Sequence, residues 1–223
     1  MSADNLPAQP TREPVLSPVD RVSELLFGLF MALTFVGAVS VTEAGRDDIR
    51  AMLAAALGCN LAWGLVDAVM YLVRTVADRG RLITLVRSVQ SAPDAASGHA
   101  LIKASLSKVA AGLLSEPEIE AVRGRVLALT SVPERPTLRS DDYVAALSVF
   151  VLVVASTFPV VLPFVFIQDV GTAKVLSRAI ALVMLFFGGL ALGRYAGYGS
   201  WKVGFMMAGL GAVVVAAVMA LGG

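Results

Sequence analysis

Long uncharged runs alternate with charged segments along this chain, and five of the runs have the character of membrane-spanning helices. A helix needs roughly 20 mostly apolar residues to cross a hydrocarbon core about 30 Å thick. The shortest run, the fourth, can span if the arginines at its ends extend toward the headgroups. The pattern predicts an all-α polytopic membrane protein with about five transmembrane helices, at residues 25–42, 51–73, 143–168, 179–193 and 203–223.

Residues 77–140, between the second and third predicted spans, have a different character. Charge returns here, and apolar residues recur at helical spacing in three segments. Pro93 separates the first segment from the second, and Ser115 with Glu118 three residues later is a capping-box pattern at the start of the third. The pattern predicts a soluble insert of three amphipathic helices, with stripes Leu82, Leu85, Val86 and Val89; Ile102, Leu106, Val109 and Leu113; and Ile119, Val122, Val126 and Leu129.

The predicted organisation has four parts: residues 1–20, 21–76, 77–140 and 141–223. The first is polar and proline-rich, without the basic start and apolar run of a signal peptide, and is predicted to be a disordered tail. The second holds the first two spans, the third is the insert, and the fourth holds the last three spans. With a cytoplasmic N-terminus, 14 Lys and Arg fall on the cytoplasmic side and 4 on the other. The positive-inside rule therefore predicts a cytoplasmic N-terminus and insert, with the C-terminus opposite.

Composition agrees with a lipid environment and narrows the function classes. The chain is 57% hydrophobic and 16% charged, and its net charge of +1 gives no reason to expect nucleic-acid binding. A single cysteine, Cys59, and a single histidine, His99, supply neither an internal disulfide nor a zinc site of the Cys/His type. No nucleophile with a base, metalloprotease helix or nucleotide loop can be assembled, so an enzyme is not expected. No resident cofactor is predicted; the lipid bilayer is the expected partner.

One stripe of the second span carries nearly all of its polar side chains. Asp67 is the only acidic residue inside a predicted span, and an ionisable group there is a functional hypothesis by default. On a helix with 100° per residue, its stripe should face protein or water. The residues that share this stripe are Asn60, Gly64, Asp67, Tyr71 and Arg74.

Two interpretations of this stripe remain open. In the first, Asp67 binds a cation or relays a proton, and Asn60 and Tyr71 line the path together with Met31 and Thr34 of the first span. In the second, Asp67 is structural and pairs with Tyr71, Arg74 or Arg194 between helices.

The segments 24–34 (ELLFGLFMALT), 62–67 (AWGLVD) and 157–164 (TFPVVLPF), with a helical insert after the second span, resemble the vacuolar iron transporter (VIT) family. The resemblance covers residues from about 21 to the end. It implies a five-helix homodimer that exchanges Fe²⁺ or Mn²⁺ for protons. The family's first-span aspartate falls on Met31, the methionine of its second-span motif falls on Trp63, and the acid of that motif is retained as Asp67.

The resemblance also implies that the insert collects metal in the cytosol. Its candidate metal ligands there are Glu116, Glu118 and Glu120. The alternative, from a different class, is a non-transporting membrane scaffold that binds a partner through the same insert.

Overall fold

The computed structural model describes residues 18–37, 46–197 and 199–221, and all regular structure within them is α-helical. The all-α fold class is therefore confirmed for this part of the chain. The predicted tail lies almost wholly outside it. The helices are α1 (Pro18–Gly37), α2 (Arg46–Gln90), α3 (Ala95–Ser105), α4 (Lys108–Leu113), α5 (Glu116–Leu127), α6 (Ser140–Phe166), α7 (Val170–Ala196) and α8 (Ser200–Ala220).

Four of the described helices, α2, α6, α7 and α8, are long and apolar enough to cross a membrane. The first predicted span, 25–42, continues past Gly37 and so lies partly outside the described residues. The fifth transmembrane helix therefore remains a prediction. The fourth span is longer than predicted, because α7 begins at Val170 and includes Lys174 and Arg178 as helical residues.

The described residues form two compact units, and the first is a helix bundle of those that lie between 18 and 70 and between 141 and 221. In this bundle α1 is buried along one face, while Phe27 on the other side is 56% exposed. Its buried residues pack against α6, α7 and partly buried side chains of α2 and α8. A buried stripe with an exposed opposite side suits a helix that packs against its neighbours along one face. The fully buried positions of α1 are Leu29, Ala32, Leu33 and Val36.

The glycines of α7 allow α8 to approach it closely. A methyl group on Gly189 would lie 2.7 Å from the carbonyl oxygen of Val203, and one on Gly193 would lie 2.6 Å from the Cα of Ser200. At Gly197 the helix ends with φ = 73°, a conformation that glycine adopts without strain. The small-residue spacing of α7 thus serves a hairpin within the chain.

The second unit, Tyr71–Ser140, has its own small apolar core around Val89, Ile102 and Ile119. Its helices differ from the prediction in two ways. The first predicted insert helix is the continuation of α2, and the second is split, because Leu106 is extended and Ser107 starts α4 as an N-cap. The predicted capping box at Ser115 is confirmed.

Candidate polar site in the helix bundle

Asn60 is a fully buried polar residue of α2 that contacts both α1 and α6. Its Nδ2 donates to Oγ1 of Thr157, which is also fully buried, and lies 3.5 Å from the carbonyl oxygen of Gly28. Its Oδ1 is buried and has no hydrogen-bond donor among the described residues. Most buried polar atoms in proteins have a partner, so this acceptor requires an explanation.

Helices α1 and α6 are in close contact beside the Asn60 side chain. A methyl group on Gly28 would lie 1.9 Å from Oγ of Ser156 and 2.7 Å from the carbonyl oxygen of Val153. Ser156 is buried and donates to that same carbonyl at 2.7 Å. We call the set Gly28, Asn60, Ser156 and Thr157 the polar junction. It is a group of neutral hydrogen-bonding atoms within an apolar bundle.

Asp67 lies on the same side of α2 as Asn60, seven residues or about 10 Å along the helix axis. Between them Gly64 is buried against Phe150 of α6, whose carbonyl oxygen would lie 3.2 Å from an added methyl group. The side chain of Asp67 is partly buried. Within the described part of the bundle, no hydrogen bond or ion pair of its carboxylate is found. The structural interpretation of Asp67 thus has no observed partner inside this unit.

The other predicted path residues lie elsewhere. Thr34 is exposed, and its hydroxyl donates to the carbonyl oxygen of Phe30 in its own helix at 2.9 Å. Met31 is partly buried one turn after Gly28, and Tyr71 is a partly buried residue of the other compact unit. The structure therefore brings Asn60 to Thr157 and Gly28, and it leaves Thr34 on an outward face.

Three polar residues near the start of α7 were not predicted as a group. Ser177 is fully buried and donates to the carbonyl oxygen of Val160, and Lys174 is only 2% exposed. Nε and Nη2 of Arg178 are buried and have no hydrogen-bond partner in the part of the chain that the structure describes. Their burial could have been predicted from the sequence, because these positions lie on the same i, i+3, i+4 stripe as the buried Ala173 and Ala181.

The three glutamates predicted as metal ligands of the insert have two different roles. Glu118 accepts from the backbone N–H of Ser115 at 2.7 Å and completes the capping box. Glu116 and Glu120 are one helical turn apart on α5, and both face His99 of α3. Their Oε2 atoms lie 3.4 Å from Nδ1 and 2.6 Å from Nε2 of the imidazole, respectively.

Cations neutralise both of these carboxylates. The ammonium of Lys103 lowers the pKa of Glu116, and Arg123, with His99 second, lowers the pKa of Glu120 to about 2. Arg123 donates to the two oxygens of Glu120 at 2.8 and 2.9 Å. Among the described residues, no group of three or more His, Cys, Asp or Glu side chains is placed to hold a metal ion. The contacts around His99 are those of an ion-pair network.

No protein-family model matches this chain, and no curated protein matches it significantly. The VIT interpretation therefore depends on the motifs in residues 24–34, 62–67 and 157–164 and on the order of spans and insert.

Proposed function

We propose that this chain is a VIT-like membrane transporter that exchanges Fe²⁺ or Mn²⁺ for protons by way of the polar junction and Asp67. The observation that carries the proposal is the buried Oδ1 of Asn60, which has no donor among the described residues. Leaving a buried acceptor unsatisfied costs about 1–3 kcal/mol. A cation, or a water molecule that accompanies it, would satisfy this oxygen at one stage of a transport cycle.

The chemistry of the donors supports a hard cation or a proton. Asp67 supplies the charge, while the amide of Asn60, about 10 Å away along α2, supplies a neutral oxygen. Two prolines inside α6, Pro159 and Pro163, each remove the N–H that would bond to the carbonyl four residues before it. Carboxylate, carbonyl and hydroxyl oxygens suit Mn²⁺ best, and Fe²⁺ is borderline.

Asp67 is the group that should change its charge during the cycle. A carboxylate in a low-dielectric span is disfavoured in its ionised form unless a cation or a donor compensates it. With no ion pair inside the described part of the bundle, a transported cation or a proton is the natural compensation. The exchange of one for the other at Asp67 is the step that would couple the two fluxes.

The arrangement in the membrane is part of the same proposal. The N-terminus and the insert lie in the cytoplasm and the C-terminus lies on the opposite side, as the excess of Lys and Arg predicts. The expected homodimer rests on the family resemblance alone. Gly189 and Gly193 pack α7 against α8 within one chain and therefore give no separate support for it.

The test is Mn²⁺ and Fe²⁺ uptake into proteoliposomes under an imposed pH gradient. We expect uptake above that of protein-free liposomes, and loss of uptake and of its pH dependence in Asp67→Asn. The matched control is Asp141→Asn, which removes an exposed carboxylate at the start of α6 and should transport normally. Wild-type uptake equal to that of empty liposomes would reject the transporter.

One observation favours the second candidate, a scaffold that binds a partner through the insert. On α4 the side chains of Val109 and Leu113 are 72% and 79% exposed, although they are apolar and one turn apart. A partner protein that covers them would remove this surface from water. In that case Val109→Asn with Leu113→Asn should abolish partner binding, and the wild-type protein should show no metal uptake.

A further inference from the structure

A groove with a volume of about 310 Å³ lies within the insert unit. One wall is the part of α2 that follows residue 78, and the other is the segment that leads from α5 to α6. The residues that line the groove are Arg79, Leu82, Ile83, Pro133, Arg135, Pro136, Thr137 and Arg139.

The groove is cationic, because three of its lining residues are arginines and none is acidic. Two hydrogen bonds hold its walls together. Nη1 of Arg79 donates to the carbonyl oxygen of Thr137 at 2.6 Å, and Nη2 of Arg87 donates to that of Pro133 at 2.9 Å. Arg135 is exposed and makes no hydrogen bond or ion pair in the part of the chain that the structure describes. The arginines therefore lie on a groove whose two walls are held together by hydrogen bonds within the protein.

Guanidinium groups bind phosphate through paired N–H donors in a planar fork, so this groove suits a phosphate group. It also offers apolar surface beside the charge. Leu82 is 61% exposed, and Pro133 and Pro136 line the same groove. A ligand with a phosphate and an adjoining apolar part would use both features.

The position of these arginines along the chain favours a lipid as the source of that phosphate. Arg139 immediately precedes Ser140, where α6 begins, and Arg79 follows the last apolar residue of the second predicted span, Val73, by six residues. Six residues of α2 rise about 9 Å. The headgroup region adds about 5–8 Å to each side of the hydrocarbon core, so the long arginine side chains can reach it.

We propose that this groove binds the phosphate headgroup of an anionic membrane lipid, with Arg135 and Arg139 as its principal ligands. Basic residues next to a span attract anionic lipid by about 1 kcal/mol each, which corresponds to about fivefold in affinity. The proposal is independent of any transport activity, since it concerns the insert unit alone.

The experiment measures lipid binding to the full chain in a zwitterionic detergent, by native mass spectrometry at fixed ionic strength. Phosphatidylglycerol and phosphatidylcholine of equal chain length are compared. We expect the wild-type protein to prefer phosphatidylglycerol and Arg135→Gln with Arg139→Gln to lose about 25-fold in affinity for it. The matched control, Arg81→Gln with Arg125→Gln, removes the same charge from exposed residues outside the groove and should change affinity less than twofold.

Arg135→Gln alone keeps the proposal testable if the double variant does not fold, because its side chain makes no bond in the described structure; it should lose about fivefold. An equal loss in the control pair would overturn the proposal by showing that only net charge matters. Unchanged binding in both groove variants would overturn it as well. Displacement of the lipid by millimolar inorganic phosphate would show that the groove takes a soluble anion instead.

Discussion

Nε2 of His99 lies 2.6 Å from Oε2 of Glu120, and this contact joins α3 to α5 in the insert. The other ring nitrogen faces a second carboxylate, that of Glu116, at 3.4 Å. The imidazole of His99 thus lies between two carboxylates of α5 and links α3 to that helix.

The first prediction concerns this link. His99→Ala should loosen α3 from α5, because it removes the imidazole of α3 that contacts both Glu116 and Glu120 of α5. Amide hydrogen exchange across residues 101–127 should become faster. Glu134→Gln, which changes an exposed carboxylate in the segment before α6, should leave that exchange unchanged. Equal exchange in the wild-type protein and His99→Ala would contradict the prediction.

The second prediction concerns the acid side of the same network. Arg123 and His99 lower the pKa of Glu120 from 4.5 to about 2. The folded insert therefore binds fewer protons than the unfolded chain in this range. Glu120 contributes stability fully above about pH 4.5 and loses it as the pH falls toward 2.

Thermal unfolding of the insert should consequently shift to lower temperature between pH 5 and pH 3, and the shift should be smaller in Glu120→Gln. Glu116 and Glu118 also have lowered pKa values, so part of the shift will remain. Glu134→Gln should behave like the wild-type protein. A variant at Glu120 with the full acid shift would show that this carboxylate is not paired in solution.

The sequence predicts best those features of the fold that depend on the composition of one helix alone. The uncharged runs located α2, α6 and α8 because burial in lipid excludes charge along the whole of a span. The same rule misplaced the start of α7, since Lys174 and Arg178 lie inside that helix. The break at Ser107 was missed for another reason. The apolar spacing continues across it, while serine suits an N-cap as well as an exposed helical position.

The polar junction was predictable only in part. Helical periodicity identified Asn60, because it relates residues of one helix. It could not predict the contacts with Thr157 and the carbonyl of Gly28, because these belong to other helices and meet Asn60 only through tertiary packing. Likewise, the sequence grouped Glu116, Glu118 and Glu120 as candidate ligands, while in the structure Glu116 and Glu120, four residues apart, face His99.

The third prediction concerns the contact of α1 with α6. Gly28→Ala should lower the free energy of unfolding by about 1–3 kcal/mol, because the new methyl group would overlap the backbone of Val153 as well as Ser156. Gly58→Ala is the matched control, since a methyl group there meets nothing within 4 Å. Thermal unfolding in a mild detergent measures both. Equal effects of the two substitutions would show that α1 and α6 do not touch at Gly28.

The fourth prediction concerns orientation. In a background where Cys59 is replaced by serine, a single cysteine at the exposed position 113 of α4 should react with a membrane-impermeant reagent only after the cells are opened. A cysteine at exposed position 168, between α6 and α7, should react in intact cells. The reverse pattern would place the insert outside.

The last prediction concerns the hydrogen bond between Asn60 and Thr157. Thr157→Val keeps the shape of the side chain but removes the acceptor of the Asn60 amide. Inside membranes such a bond is worth about 0.6 kcal/mol on average and up to about 1.7 kcal/mol, so the loss of stability should fall in this range. Asn60→Ala leaves a cavity and removes the amide, and the double variant should lose less than the two single losses added together, because the bond is then counted only once. Thermal unfolding of the four proteins in one detergent gives the coupling.

If the amide also binds a cation, Asn60→Ala should reduce metal uptake more than Thr157→Val does, although both variants have lost the bond between the helices. Uptake that falls only in proportion to stability would leave Asn60 a packing residue and would make Asp67 the sole ion ligand to test.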